Sequence, residues 1–135
     1  VVFADLLSQA TRQGAILIAA AGNQSRKGEA LPATSPHVIA VTAVDAALRR
    51  YRSANRGTHI EFAAPGVDIY VAKDSGGGYA TGTSYAAPIL SGLALRSGAS
   101  TLSEVRRRLQ QQSRDLGPPG RDSDYGWGLV QGIGC

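Results

Sequence analysis

Two apolar runs of seven residues constrain this chain more tightly than anything else in it. Ala15-Ile16-Leu17-Ile18-Ala19-Ala20-Ala21 is closed by Gly22-Asn23. Val38-Ile39-Ala40-Val41-Thr42-Ala43-Val44 follows a polar loop over 24–36. Neither alternates polar with apolar. Short continuous runs bounded by turn residues read as strands buried on both faces, the state of parallel strands sandwiched between helices. Residues 2–13 read as a helix, because Val2, Leu6 and Ala10 recur at i, i+4 and i+8 and Gly14 suits the position just past a helix end. A helix followed by a two-sided strand is half of a βαβ unit. The expected fold is α/β, a partial doubly wound parallel sheet with flanking helices.

The rest of the chain fits one domain over residues 1–135. Arg49 to Thr58 reads as a charged, irregular connection. Ile60 to Ala64 alternates toward a Pro65-Gly66 turn, and Val67 to Val71 reads as another short strand. Ser75-Gly76-Gly77-Gly78 reads as a hairpin-like or open loop. From Ser84 to about Leu95 the chain is apolar nearly all round, which predicts a helix buried at the centre of the domain, with Pro88 in its first turn. Thr101 and Glu104 have the spacing of a capping box, and Leu102, Val105 and Leu109 then mark a helix to about Ser113. The tail from Asp115 is rich in glycine and reads as loop, with a short ribbon at Gly128-Leu129-Val130.

Composition narrows the function classes. The net charge is +4, and part of it comes from Arg106-Arg107-Arg108 on a helix. No aromatic or glycine-rich binding pattern accompanies these arginines, so they read as a solvated face and not as a nucleic-acid surface. No apolar run approaches 18 residues, so no membrane span is expected. No acidic cluster has calcium-ligand spacing, and no cofactor or metal is expected. The one cysteine, Cys135, is terminal and cannot close an internal disulfide. The chain has no methionine and opens within a helical pattern, so it is expected to be part of a longer protein.

Two constellations carry chemistry. Gly82-Thr83-Ser84-Tyr85-Ala86-Ala87-Pro88 puts a hydroxyl nucleophile where a glycine turn meets the start of an apolar helix. Backbone N–H groups are unpaired there and partial positive charge gathers, which favours a developing oxyanion. Ser84 could otherwise be an ordinary N-cap. Asn23 stands at the carboxyl end of the first buried strand, where ligands bind open parallel sheets, and its amide can donate to an oxyanion. Asn23-Gln24-Ser25 also matches the common glycosylation pattern, which is incompatible with that role.

These blocks and their order resemble the C-terminal half of the subtilisin-like serine proteases, the subtilases. Ala19-Ala20-Ala21-Gly22-Asn23 resembles the family's oxyanion-asparagine motif, and the segment around Ser84 resembles its nucleophile motif. Pro36 to Val44, Ser53-Ala54-Asn55-Arg56-Gly57, Ala64 to Ile69 and Tyr125 to Val130 resemble the family's intervening and closing segments in order. The resemblance implies Ser84 as nucleophile, Asn23 and the Ser84 N–H as oxyanion donors, and a peptide or protein substrate. It implies that Ala19, Ala20, Ala21 and Gly22, with Gly82 and Thr83, bind that substrate. It implies an extracytoplasmic or secreted location. Calcium is common in the family, though nothing in this sequence speaks for it.

The family's aspartate and histidine motifs, Asp-Ser/Thr-Gly and His-Gly-Thr, stand before the asparagine, and neither precedes Asn23 here. The chain alone is therefore expected to be inactive and to need the N-terminal half of the domain as partner. The alternative is a non-catalytic binding module that self-associates through an exposed sheet edge. A weaker idea is a Ser-Lys dyad with Lys73 as base.

Overall fold

Strand β2 (Val38–Val44) is buried along its whole length and organises everything around it. The computed structural model describes residues 2–28 and 31–132; Cys135 lies outside them. Before β2 come α1 (Val2–Arg12) and β1 (Leu17–Ala20). After it come β3 (Ile60–Pro65), β4 (Ile69–Lys73), β5 (Gly76–Ala80), α2 (Thr83–Arg96), α3 (Leu102–Gln111), β6 (Ser113–Arg114) and β7 (Leu129–Val130). The main sheet has the order β1-β2-β3-β7-β6, with β1, β2, β3 and β7 parallel and β6 antiparallel at the far edge. β4 and β5 form a separate antiparallel hairpin.

Alternation along β2 sorts the core into two layers. Ile39, Val41 and Ala43 pack with Phe62 and Ala64 of β3, with Ala86, Leu90 and Ala94 of α2, and with Val105 and Leu109 of α3. Val38 and Ala40 face the other way, against Ala19, Ala33 and Leu7 of α1. The expected doubly wound arrangement with flanking helices is present.

Three expectations need correction. β1 is not buried on both faces: of its four residues only Ala19 is buried, because β1 is an edge strand with β2 as its single neighbour among the described residues. α2 is not buried all round. Its buried residues, Thr83, Ala86, Leu90 and Ala94, form one stripe at helical spacing, while Leu95 is 83% exposed. Pro88 falls past the first turn of a helix that begins at Thr83. It therefore removes the N–H that would bond the Ser84 carbonyl. The Ser75–Gly78 stretch, read as hairpin-like or open, takes the hairpin form: Ser75 lies in the turn and Gly76, Gly77 and Gly78 begin β5. An edge-to-face contact of Tyr70 with Tyr79 across the strands, with ring centroids 5.6 Å apart, compensates for the glycines.

Local signals that needed no tertiary help were read correctly. Thr101 caps α3 by accepting from the Glu104 N–H at 3.2 Å. The Glu104 carboxylate turns instead to Arg108, one turn along, at 2.6 Å.

Leu90 is fully buried between sheet and helices. Leu90→Ala is expected to lower unfolding free energy by about 2–5 kcal/mol in a urea titration, whereas Leu95→Ala, on the exposed side of the same helix, is expected to change it by less than about 0.5 kcal/mol.

Candidate functional site

The carboxyl ends of β1, β2 and β3 meet the start of α2. Gly66, one residue past β3, donates its N–H to the Val44 carbonyl at 3.1 Å, and its own carbonyl accepts from the Gly82 N–H at 2.8 Å. Gly66 has to be glycine, since a Cβ would sit 2.5 Å from Ala43 Cβ and 2.9 Å from the Gly82 carbonyl. The turn that opens α2 is thereby fastened to the sheet edge where β1 releases the chain toward Asn23.

Asn23 and the serine turn are brought together through Thr83. The Thr83 N–H donates to Asn23 Oδ1 at 3.0 Å, and the Thr83 hydroxyl donates to the same oxygen at 2.9 Å. Thr83 Oγ1 in turn accepts from the Gly22 N–H at 3.1 Å. Two donors on one oxygen settle which end of the Asn23 amide is which, and they leave its Nδ2 hydrogens to face outward. Nδ2 lies beside Gly82: a Cβ there would be 3.4 Å away. Ser84 follows Thr83 directly, with an exposed side chain and a backbone N–H in the first turn of α2, where the helix offers no acceptor. Exposed Asn23 and exposed Ser84 thus both adjoin the Gly82–Thr83 turn that opens α2.

The remaining candidates fall around this point. Ala19 and Ala21 are buried and Ala20 is half-buried. The backbone of Ala21 is committed, its N–H to the Val41 carbonyl and its carbonyl to Asn55 Nδ2. Gly22 is half-buried and Gly82 is buried. Thr83 is fully buried, and its side chain is spent on the lock between strand end and helix start.

Asn55 is the residue that sequence reasoning passed over. It is 1% exposed, under the loop that carries Asn23. Oδ1 accepts from the N–H groups of Gln24 at 3.0 Å and Arg26 at 3.1 Å. Nδ2 donates to the Ala21 carbonyl at 3.0 Å and to Gln24 Oε1 at 2.8 Å. The sequence offered a signal in the Ser53–Gly57 block, but it gave no hint that a side chain there would replace backbone partners elsewhere.

No described histidine stands near Ser84. His37 and His59 immediately precede β2 and β3 and so lie at the opposite edge of the sheet. The length of a seven-residue strand, about 20 Å, separates that edge from the serine. The sequence does contain an Asp-Ser-Gly tripeptide, Asp74 to Gly76, but it forms the exposed turn of the β4–β5 hairpin. Lys73 is exposed as well, with its ammonium packed over Gly78, so it is not the desolvated amine that a Ser-Lys dyad requires. Among the described residues no three His, Cys, Asp or Glu side chains converge as a metal site, and no helix is long and apolar enough to cross a membrane.

The model of the subtilase family matches residues 3–128. The chain belongs to the subtilase family. This subtilase chain is 33% identical over 135 residues to the minor extracellular protease Epr of Bacillus subtilis, covering 94% of the chain and 21% of that protein. It is 37% identical over 130 residues to the thermostable alkaline protease of Halalkalibacterium halodurans, covering 92% and 35%. It is 33% identical over 135 residues to the subtilisin of Bacillus pumilus, covering 93% and 48%. The chain thus spans about a fifth to a half of these relatives' length. Among solved structures, the prenylagaramide maturation protease PagA superposes with a TM-score of 0.80 at 28% identity, covering 94% of this subtilase chain and 51% of that one. A lanthipeptide protease with a TM-score of 0.81 at 24% identity shares the fold over 95% of the chain and 52% of its own.

Thr83→Val keeps the shape of the side chain but removes the hydroxyl that bonds both Gly22 and Asn23. It is expected to lower unfolding free energy by about 1–3 kcal/mol, the cost of leaving part-buried polar groups unpaired, as read by urea denaturation.

Proposed function

We propose that this subtilase chain carries the nucleophile and the oxyanion-binding half of a serine endopeptidase site. Ser84 Oγ attacks the carbonyl carbon of a peptide bond in a protein or peptide substrate. The oxyanion so formed is held by Asn23 Nδ2 and by the Ser84 N–H at the start of α2. The observation that carries this reading is the pair of hydrogen bonds from Thr83 to Asn23 Oδ1, which occupies the amide's oxygen while its Nδ2 lies beside Gly82, two residues before Ser84. Gly22 and Gly82 border the site with backbone alone, which lets an extended substrate approach.

The base that activates Ser84 comes from residues outside these 135, because a serine at its free pKa is a poor nucleophile without one. The chain by itself is inactive on this reading, and it works when joined to the part of the protein that supplies the aspartate and histidine. The Bacillus subtilis relative is an extracellular protease by name, which supports action outside the cytoplasm. A second reading, a binding module that associates through an uncovered face, draws on exposed Val2, Phe3 and Leu6 of α1. Retention of the whole Gly22–Asn23–Thr83–Ser84 arrangement favours the catalytic one.

A fluorophosphonate probe incubated with the full-length protein is expected to label Ser84, and Ser84→Ala is expected to abolish both labelling and peptide hydrolysis. Asn23→Ala is expected to lower kcat by about 10²–10³ with little change in KM, a magnitude established on subtilisin itself. The 135-residue chain alone is expected to stay unlabelled. Labelling that survives Ser84→Ala, or an unchanged kcat in Asn23→Ala, overturns the reading.

A further inference from the structure

The geometry points to Asn55 as a positioning residue for Asn23, an inference that rests on the oxyanion role proposed above. Asn55 belongs to a different segment, thirty-odd residues further along, yet its carboxamide spends both acceptor sites and both donors on the loop that holds Asn23. Its backbone N–H adds a bond to the Gly22 carbonyl at 2.8 Å. Gly22 has φ +96°, and a Cβ on it would come within 2.4 Å of Asn55 Nδ2, so the loop is folded directly onto this side chain. Asn23 lies between two anchors. Thr83 grips Gly22 and the Asn23 oxygen from the side of the serine. Asn55 grips Ala21, Gly22, Gln24 and Arg26 from beneath. Asn23 itself makes no bond to Asn55, so Asn55 acts by fixing the backbone on both sides of it. Outer support comes from Ser25 to Ser53 at 2.8 Å and from Arg56 to Arg26 at 2.9 Å, both backbone bonds to the segment that presents Asn55.

This arrangement provides a reporter that needs no catalysis. Thr83 opens α2, and its N–H has Asn23 Oδ1 as acceptor and no partner within the helix. Exchange of the Thr83 amide hydrogen therefore measures how firmly Asn23 is held. In a folded Asn55→Ala or Asn55→Ser variant, Thr83 exchange is expected to accelerate at least about tenfold while amides of β2 keep their protection. Gln24→Ala, at an exposed position, removes one Asn55 bond only and is expected to give a smaller rise of about two- to threefold. If the Asn55 variants do not fold, the Gln24→Ala result decides alone. Thr83 protection unchanged in these folded variants overturns the proposal.

Activity supplies a separate arm. In the full-length protein Asn55→Ala is expected to lower kcat by about 10²-fold with KM nearly unchanged, as displacing a transition-state donor does. In an Asn23→Ala background the same change is expected to cost little more, because the group it positions is gone. Additive losses in that double-mutant cycle overturn the positioning role. Failure of Asn23→Ala to affect kcat would instead overturn the oxyanion reading and leave the exchange result standing on its own.

Discussion

One amide oxygen holds the functional end of this molecule together. Asn23 Oδ1 accepts from both the backbone and the hydroxyl of Thr83, and that hydroxyl reaches back to Gly22. The three bonds join the loop after the edge strand to the first turn of a helix sixty residues later. The sheet supplies a further link to the helix start, by way of Gly66 and Gly82. In this lock the Thr83 N–H and hydroxyl, the Gly22 N–H and Asn23 Oδ1 all have partners, and that satisfaction permits a buried threonine at this point.

Packing and chemistry are separated in a way typical of sheets covered by helices. The large apolar side chains sit away from the site, in the layer shared by β2, β3, α2 and α3. Near the site the residues are small: alanines on β1, glycines at 22, 66 and 82. Small side chains allow strand ends and helix start to approach closely, and hydrogen bonds then set the distances. Burial thus fixes where the elements lie, and polar contacts fix how the Asn23 amide is aimed.

Much of this was legible in the residues alone. β2 announces itself as an uninterrupted apolar run and the amphipathic α3 through its periodicity and a cap, and the Gly82–Pro88 and Ala19–Asn23 blocks stand out before any fold is known. What failed was context. Burial of β1 and α2 depends on what covers them, and composition is blind to that: Ala15–Ala21 reads as a central strand although it lies at an edge. At β5 the sequence left a hairpin and an open loop undecided, because three glycines carry no strand propensity; pairing with β4 and the Tyr70–Tyr79 contact decide it. Asn55 was hidden for a different reason: its worth lies wholly in long-range hydrogen bonds, which leave no periodic trace.

Among the described residues the β4–β5 hairpin pairs only with itself, and its base is closed by the Thr81 hydroxyl, which accepts from the Asp68 N–H, and by the Gly82 N–H, which donates to the Gly66 carbonyl. Its strand register is uncoupled from that of the main sheet. Residues can be added or removed in matched pairs at its tip without turning any core side chain outward. The hairpin is thus a natural place for length variation beside the turn that opens α2, whose own geometry has no slack.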